Sequence, residues 1–298
     1  MVKVWVALNS MTSAYHTNKE LAKQLFMAEI SQTEASIDLG RAALLIAKSV
    51  YSGLDIESYL KQLDSMALAV TAYFSRYEDQ PSYLKTIQAI NYYLYDQQHF
   101  EGNKTAYYDP QNSLLNQVIE RRRGIPITLS LLYMEIAQRL GLTLTGVGMP
   151  GHFLIKYQLS ESEEIFIDAF NQGRLLDIKG CEALIASMYQ QRVDFNPYFL
   201  RSVSKKAILT RMLTNLKGIY LEGGDNARAL STIDWLLMIN ARSGIDIRDR
   251  GIVCFQLGRF AEALYELELY LPQATDETEK KQLNNYLRRI KSQLAALN

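Results

Sequence analysis

The sequence predicts an α+β fold. A helical N-terminal layer comes first, then a small antiparallel sheet packed on one buried helix, then an all-helical C-terminal end. Three observations predict it. Apolar residues recur at helical spacing from residue 34 to about residue 94. Strand-like stretches are confined to residues 142–178. Beyond residue 196 one pattern returns, LEGGDNARAL and then FQLGRFAEAL, with Gly224 and Gly258 lying 34 residues apart.

The first helix is expected over residues 34–51, with Ile37, Leu44, Ala47 and Tyr51 near one face and Gly53 as its stop. Asp55 is placed to cap the next, in which Tyr59, Leu63, Met66 and Val70 follow helical spacing. Pro81 suits the first turn of a third, with Leu84, Ile87, Ile90, Asn91 and Leu94 behind it. No catalytic spacing falls in this region, which reads as a support layer. The tyrosines Tyr92, Tyr93, Tyr95, Tyr107 and Tyr108 read as packing residues whose hydroxyls reach polar partners, with an aromatic groove wall as the alternative.

Asp109-Pro110 marks a turn, after which Asn112 or Ser113 is placed to cap a helix burying Leu114, Leu115, Val118 and Ile119. Arg121, Arg122 and Arg123 close that helix before Gly124, as cations do beside carbonyl ends. The alternative is an arginine-lined anchor for a carboxylate or phosphate. Pro126 then opens a helix in which Leu129, Leu132, Tyr133, Ile136, Ala137 and Leu140 make a broad apolar face, and Gly141 ends it. Strands follow over residues 142–148, 152–157 and 164–168, with Leu175, Leu176 and Ile178 as a short edge. The 34-residue period, with Gly at the turn and Ala229 and Ala263 at the close helix contact, is the tetratricopeptide signature. Two repeats cover residues 206–240 and 246–271, and residues 284–297 read as a capping helix. The expected domains are residues 1–195 and 196–298.

Composition excludes several function classes. Lys+Arg and Asp+Glu both number 32, so no net charge draws nucleic acid to the whole chain. Cys181 and Cys254, the only two cysteines, make no short-spaced pair, which fits a reducing cytoplasm and no zinc cluster. The N-terminal apolar run, residues 4–8, is too short for a signal-peptide core or a membrane span. No cofactor and no metal are expected.

The motifs YYDPQNSLLNQVIERRRGIPITLSLLY, GVGMPGHFLIKY and FIDAFNQGRLL resemble the SirB-type transglutaminase-like family. These are bacterial proteins with a transglutaminase-like (papain-like) core and a tetratricopeptide tail. The resemblance implies a cysteine at the start of the buried helix, a histidine on a following strand and an aspartate on the next. Such a triad works because a helix N-terminus stabilises a thiolate while a carboxylate fixes the tautomer of the imidazole. The matching positions here are Pro126, His152 and Asp168, so the nucleophile's place holds a proline.

The resemblance therefore implies a pseudoenzyme that binds a protein or peptide partner. The binding residues would be Arg121, Arg122, Arg123, His152, Phe153 and Asn171, or the repeats. The alternative is an acyl-transfer or amide-hydrolysing enzyme with a relocated nucleophile, for which Ser130 is the first candidate, with Thr128 and Cys181 behind it. A third reading makes the His152–Asp168 pair purely structural.

Overall fold

The computed structural model describes residues 18–74, 82–161, 163–189 and 195–296. It falls into two compact units, Met1–Met212 and Leu213–Asn298, where the sequence had placed the division at residue 195. Pro81, His16 and the apolar run at residues 4–8 lie outside the described residues.

The first unit begins with α1 (18–30), followed by α2 (Leu39–Val50), α3 (Ile56–Thr71) and α4 (Tyr83–Asn91). Helix α2 starts later than the spacing predicts. Asp38 takes an extended backbone and its side chain accepts the Arg41 N–H, so residues 34–38 stay outside the helix. Asp55 and Ser82 cap α3 and α4 in the same way. Leu84, expected on the buried face of α4, is exposed, and Ile87 and Ile90 carry the packing. Helix α4 runs on as a π-helical turn, Tyr92–Gln97.

Next come β1 (Glu101–Gly102), a short 3-10 turn at Pro110–Ser113, α5 (Leu115–Arg121), β2 (Arg123–Gly124) and α6 (Pro126–Arg139). Neither Asn112 nor Ser113 caps α5. Asp109 caps the 3-10 turn instead, and the Asn112 side chain is drawn into the loop before it. Arg122 closes α5 in the left-handed region, φ 56°, so the chain reverses before Gly124 is reached. Gly124 sits in β2, where an added Cβ would fall 2.9 Å from Thr128 Oγ1.

Helix α6 is buried over most of its length. It packs on β3 (Thr145–Val147) and β4 (Leu154–Gln158). With β5 (Glu164–Asp168), β6 (Arg174–Leu176) and β7 (Ser202–Val203) these make an antiparallel sheet in the order β6-β5-β4-β3-β7.

Strand β7 was not expected, because two residues leave no period to read. Ile178 does not extend the edge. It opens α7 (Ile178–Tyr189), where the Asp177 carboxylate accepts the Gly180 N–H. Val147, Leu154, Phe166 and Leu176 form one core cluster with Cys181 and Ile185 of α7. The sheet is thus packed by α7 as well as by α6.

The chain passes into the second unit within α8 (Lys205–Glu222). Helices α9 (Asn226–Ile239), α10 (Gly244–Gln256) and α11 (Phe260–Tyr270) follow, and α12 (Glu277–Ala296) covers the end. Gly224 and Gly258, one period apart, both take positive φ in the turns, and Ala229 and Ala263 are fully buried at the helix contacts.

Candidate functional site

The start of α6 is fixed from three sides. Pro126 is its first residue, and the preceding Ile125 is extended. Thr128 Oγ1 accepts the Ile125 N–H at 3.1 Å and donates to the Asn112 carbonyl at 2.7 Å. Strand β1 pairs in parallel with β2, Gly102 opposite Gly124, and the Asn103 N–H donates to the Gly124 carbonyl at 2.9 Å. Buried Asn103 and Asn112 bond each other at 3.1 Å and tie the intervening loop shut.

His152 follows a tight turn in which Gly151 takes φ 73° and the His152 N–H donates to the Met149 carbonyl at 3.2 Å. Its Nε2 lies 3.0 Å from Asp168 Oδ1. Asn171, in the 3-10 turn just after β5, gives its backbone N–H to Oδ1 at 3.2 Å and its amide to Oδ2 at 2.8 Å. His152 is 5% exposed and Asp168 1%.

Burial by itself would raise the Asp168 carboxyl. The hydrogen bonds from His152 and Asn171 outweigh it and hold that carboxyl below its ordinary range. With Nε2 facing the carboxylate, Nδ1 is the nitrogen left to serve a reacting group.

Phe170 roofs this pair. Its ring meets the imidazole edge-on, with centroids 5.9 Å apart. The same ring leaves no room over β1, where a Cβ on Gly102 would fall 2.5 Å from it. Tyr107 packs against Phe170, and Lys104 Nζ lies 5.8 Å from its centroid while donating to Asn171 Oδ1 at 3.3 Å. Tyr95 is buried and donates its hydroxyl to the Ala169 carbonyl at 2.9 Å, fixing the turn from below. Through Gly124, Gly102 and Phe170, the start of α6 and the imidazole are joined by successive contacts.

The predicted binding residues do not line one groove. Arg121 pairs with Asp109 at 2.8 Å and Arg123 with Glu101 at 2.6 Å, while Arg122 turns the chain with a left-handed backbone. Arg121 and Arg123 are thus each engaged by a different acid. Phe153 is 1% exposed, with the Arg211 guanidinium over its face. Asn171 holds the carboxylate. Tyr93 and Tyr95 are buried, whereas Tyr92 and Tyr108 are exposed, so the tyrosines make no continuous wall.

The substitute nucleophiles fare no better. Ser130 is fully buried in α6 and its Oγ has no hydrogen-bond partner. Thr128 Oγ1 is engaged at the helix start. Cys181 faces the core from α7, where burial, helped by Asp177, pushes its thiol up to about 12. Among the described residues no three His, Cys, Asp or Glu side chains gather as a metal site, and no helix is long and apolar enough to cross a membrane.

Phe170, Lys104 and Asn103 were not foreseen, whereas Tyr107 had been read as a packing residue or part of a groove wall. The signal for Phe170 was its place between Asp168 and Asn171. The others come from a loop whose closure on β5 no local pattern announces.

Residues 57–214 match the transglutaminase-like superfamily, and residues 216–295 match the tetratricopeptide repeat. A UPF0162 protein of Xylella fastidiosa (strain Temecula1) is 34% identical over 249 residues, 80% of this chain and 84% of that protein. Human F-box only protein 21 is 42% identical over 139 residues, 44% of this chain and 21% of that protein. Among solved structures, menin is similar over 91% of this chain and 74% of its own, with a TM-score of 0.41 and 10% identity.

Proposed function

The chain belongs to the SirB-type transglutaminase-like proteins with a tetratricopeptide tail, and from that premise we propose that it is a non-catalytic member that binds a protein or peptide partner. Pro126 at the first turn of α6 carries this reading. In the family's pattern that is the nucleophile's place, and a proline ring offers neither a thiolate nor a backbone N–H for an oxyanion. The His152–Asp168 pair then acts as a buried strut, joining the turn before β4 to the end of β5. Its burial under Phe170 supports that role, because a general base must reach the proton it takes. Tetratricopeptide stacks cradle peptides, which makes the second unit the first place to look for the partner.

The test uses Pro126→Cys. If residue 126 occupies the nucleophile's place, iodoacetamide labels the new thiol with a lowered pKa, and His152→Ala returns that pKa toward the ordinary thiol value. The wild-type chain, treated with serine- and cysteine-reactive probes and mapped by mass spectrometry, is expected to show no label that depends on His152. A His152-dependent adduct on Ser130 or Cys181 would overturn the reading. For the partner, crosslinking in cells should place captured peptides on α8–α11, and capture confined to residues outside them moves the interaction to the core.

A further inference from the structure

We propose that the cavity beside the His152 turn is an oxyanion site for a ligand carrying a carboxylate on an aromatic or apolar body. Met149, Pro150 and Gly151 line it but His152 and Asp168 do not, and this open cavity has a volume of about 480 Å³. That volume lies in the range of small-ligand sites and suits one side chain or one aryl acid, not a helix. Two guanidinium groups, Arg201 and Arg211, line it, and among the described residues no carboxylate does. Two like charges in one concave space draw an anion, and the planar guanidinium fork matches a carboxylate in two parallel hydrogen bonds.

The two arginines are held differently. Arg211 is anchored: its Nη1 donates to the Met149 carbonyl at 3.0 Å and its guanidinium lies 5.6 Å from the Phe153 centroid. Arg201 stands at the mouth, exposed, stacked 4.8 Å over the Tyr198 ring. Tyr198 and Phe199 bring two aromatic residues to the lining, while Met149 offers its backbone and turns its side chain into the core. The arrangement is one anchored charge, one exposed charge and two aromatic residues in the same lining. It follows from this cavity alone and does not depend on whether the core has lost catalysis.

Ligand-observed NMR on the full chain tests it with N-acetyl-L-phenylalanine, its amide, phenyl phosphate and the tripeptide Ac-Ala-Ala-Phe-OH. The free acid is expected to bind at least about tenfold more tightly than the amide, as one charge-assisted hydrogen bond requires. Arg201→Ala should weaken the acid by a similar factor and Arg201→Lys should restore part of it, with unchanged melting in both variants because Arg201 is exposed. Tighter binding of the tripeptide than of the single residue assigns the carboxylate to a peptide C-terminus, and the reverse assigns it to a free acid. Equal binding of acid and amide, indifference to Arg201→Ala, or a preference for phenyl phosphate overturns the proposal.

Discussion

The Glu135 carboxylate, on the buried helix α6, accepts the backbone N–H of Gly40 at 3.0 Å and so caps the first turn of α2 from 95 residues away. Its second oxygen takes Arg139 at 2.7 Å, and Arg139 reaches Asp64 on α3 at 2.7 Å. Helix dipole, carboxylate and guanidinium thereby lock the support layer onto the core. Burial raises the Glu135 carboxyl against the opposing pull of Arg139 and the Gly40 N–H.

Gly40 leaves no room for a larger residue: a Cβ there would fall 2.5 Å from Glu135 Oε2. Gly40→Ala is expected to cost about 1–3 kcal/mol in denaturant unfolding, the range for overpacking. Because the clash is with one side chain, the same substitution in a Glu135→Ala background should cost much less. A double-mutant cycle measures the difference, and strict additivity would show that the contact is not what constrains residue 40.

The His152–Asp168 pair predicts a loss of stability in acid. A carboxyl held below its ordinary range binds fewer protons in the folded chain than in the unfolded one. Its contribution is therefore fully present above the ordinary carboxylate value and fades as pH falls through the depressed one. Asp168→Asn should lower stability at neutral pH by about 1.5–3 kcal/mol, the worth of hydrogen bonds to a charged group. The deficit should shrink as pH falls below the ordinary carboxylate range. Melting temperatures of both proteins across that range decide it, with parallel curves counting against the pair.

Phe170 is the roof whose removal exposes the imidazole. Phe170→Ala should cost less than the ~3–5 kcal/mol of a fully buried phenylalanine, because the ring is only half-buried. Diethyl pyrocarbonate should then modify His152 several-fold faster than in the wild type, read by peptide mapping. An unchanged rate would mean that some other residue shields it.

Much of this architecture was legible in the sequence, for physical reasons that differ by region. The period of Gly224 and Gly258 and the apolar face from Leu129 to Leu140 are local signals, so the repeats and α6 were placed to within a few residues. Strand β7 and helix α7 were missed: the first is two residues long, and the second depends on Asp177 capping Gly180. At the site, the residue types of His152 and Asp168 were readable. That Arg121 and Arg123 face different acids was not, because a left-handed Arg122 sets their directions. The two arginines of the cavity lie far apart in sequence from the turn they flank, and only the β3–β7 pairing brings Arg201 beside it.

In the second unit, Lys217 on α8 is 7% exposed and bridges Asp246 at 2.7 Å and Asp249 at 2.8 Å, both on α10. Burial would lower the Lys217 ammonium, but the two carboxylates overcome it and raise it. Asp246 also receives Ser243 Oγ, so the cluster ties two repeat helices and the turn before the second. Removing the ammonium leaves Asp246 buried with an uncompensated charge. Lys217→Met is accordingly expected to cost about 3–5 kcal/mol, although its chain fills much of the same space. Adding Asp246→Asn should return part of that loss. Hydrogen exchange should locate the damage in α8 and α10, and equal loosening of α6 would mean that the substitution acts on the whole fold and not on the repeat stack.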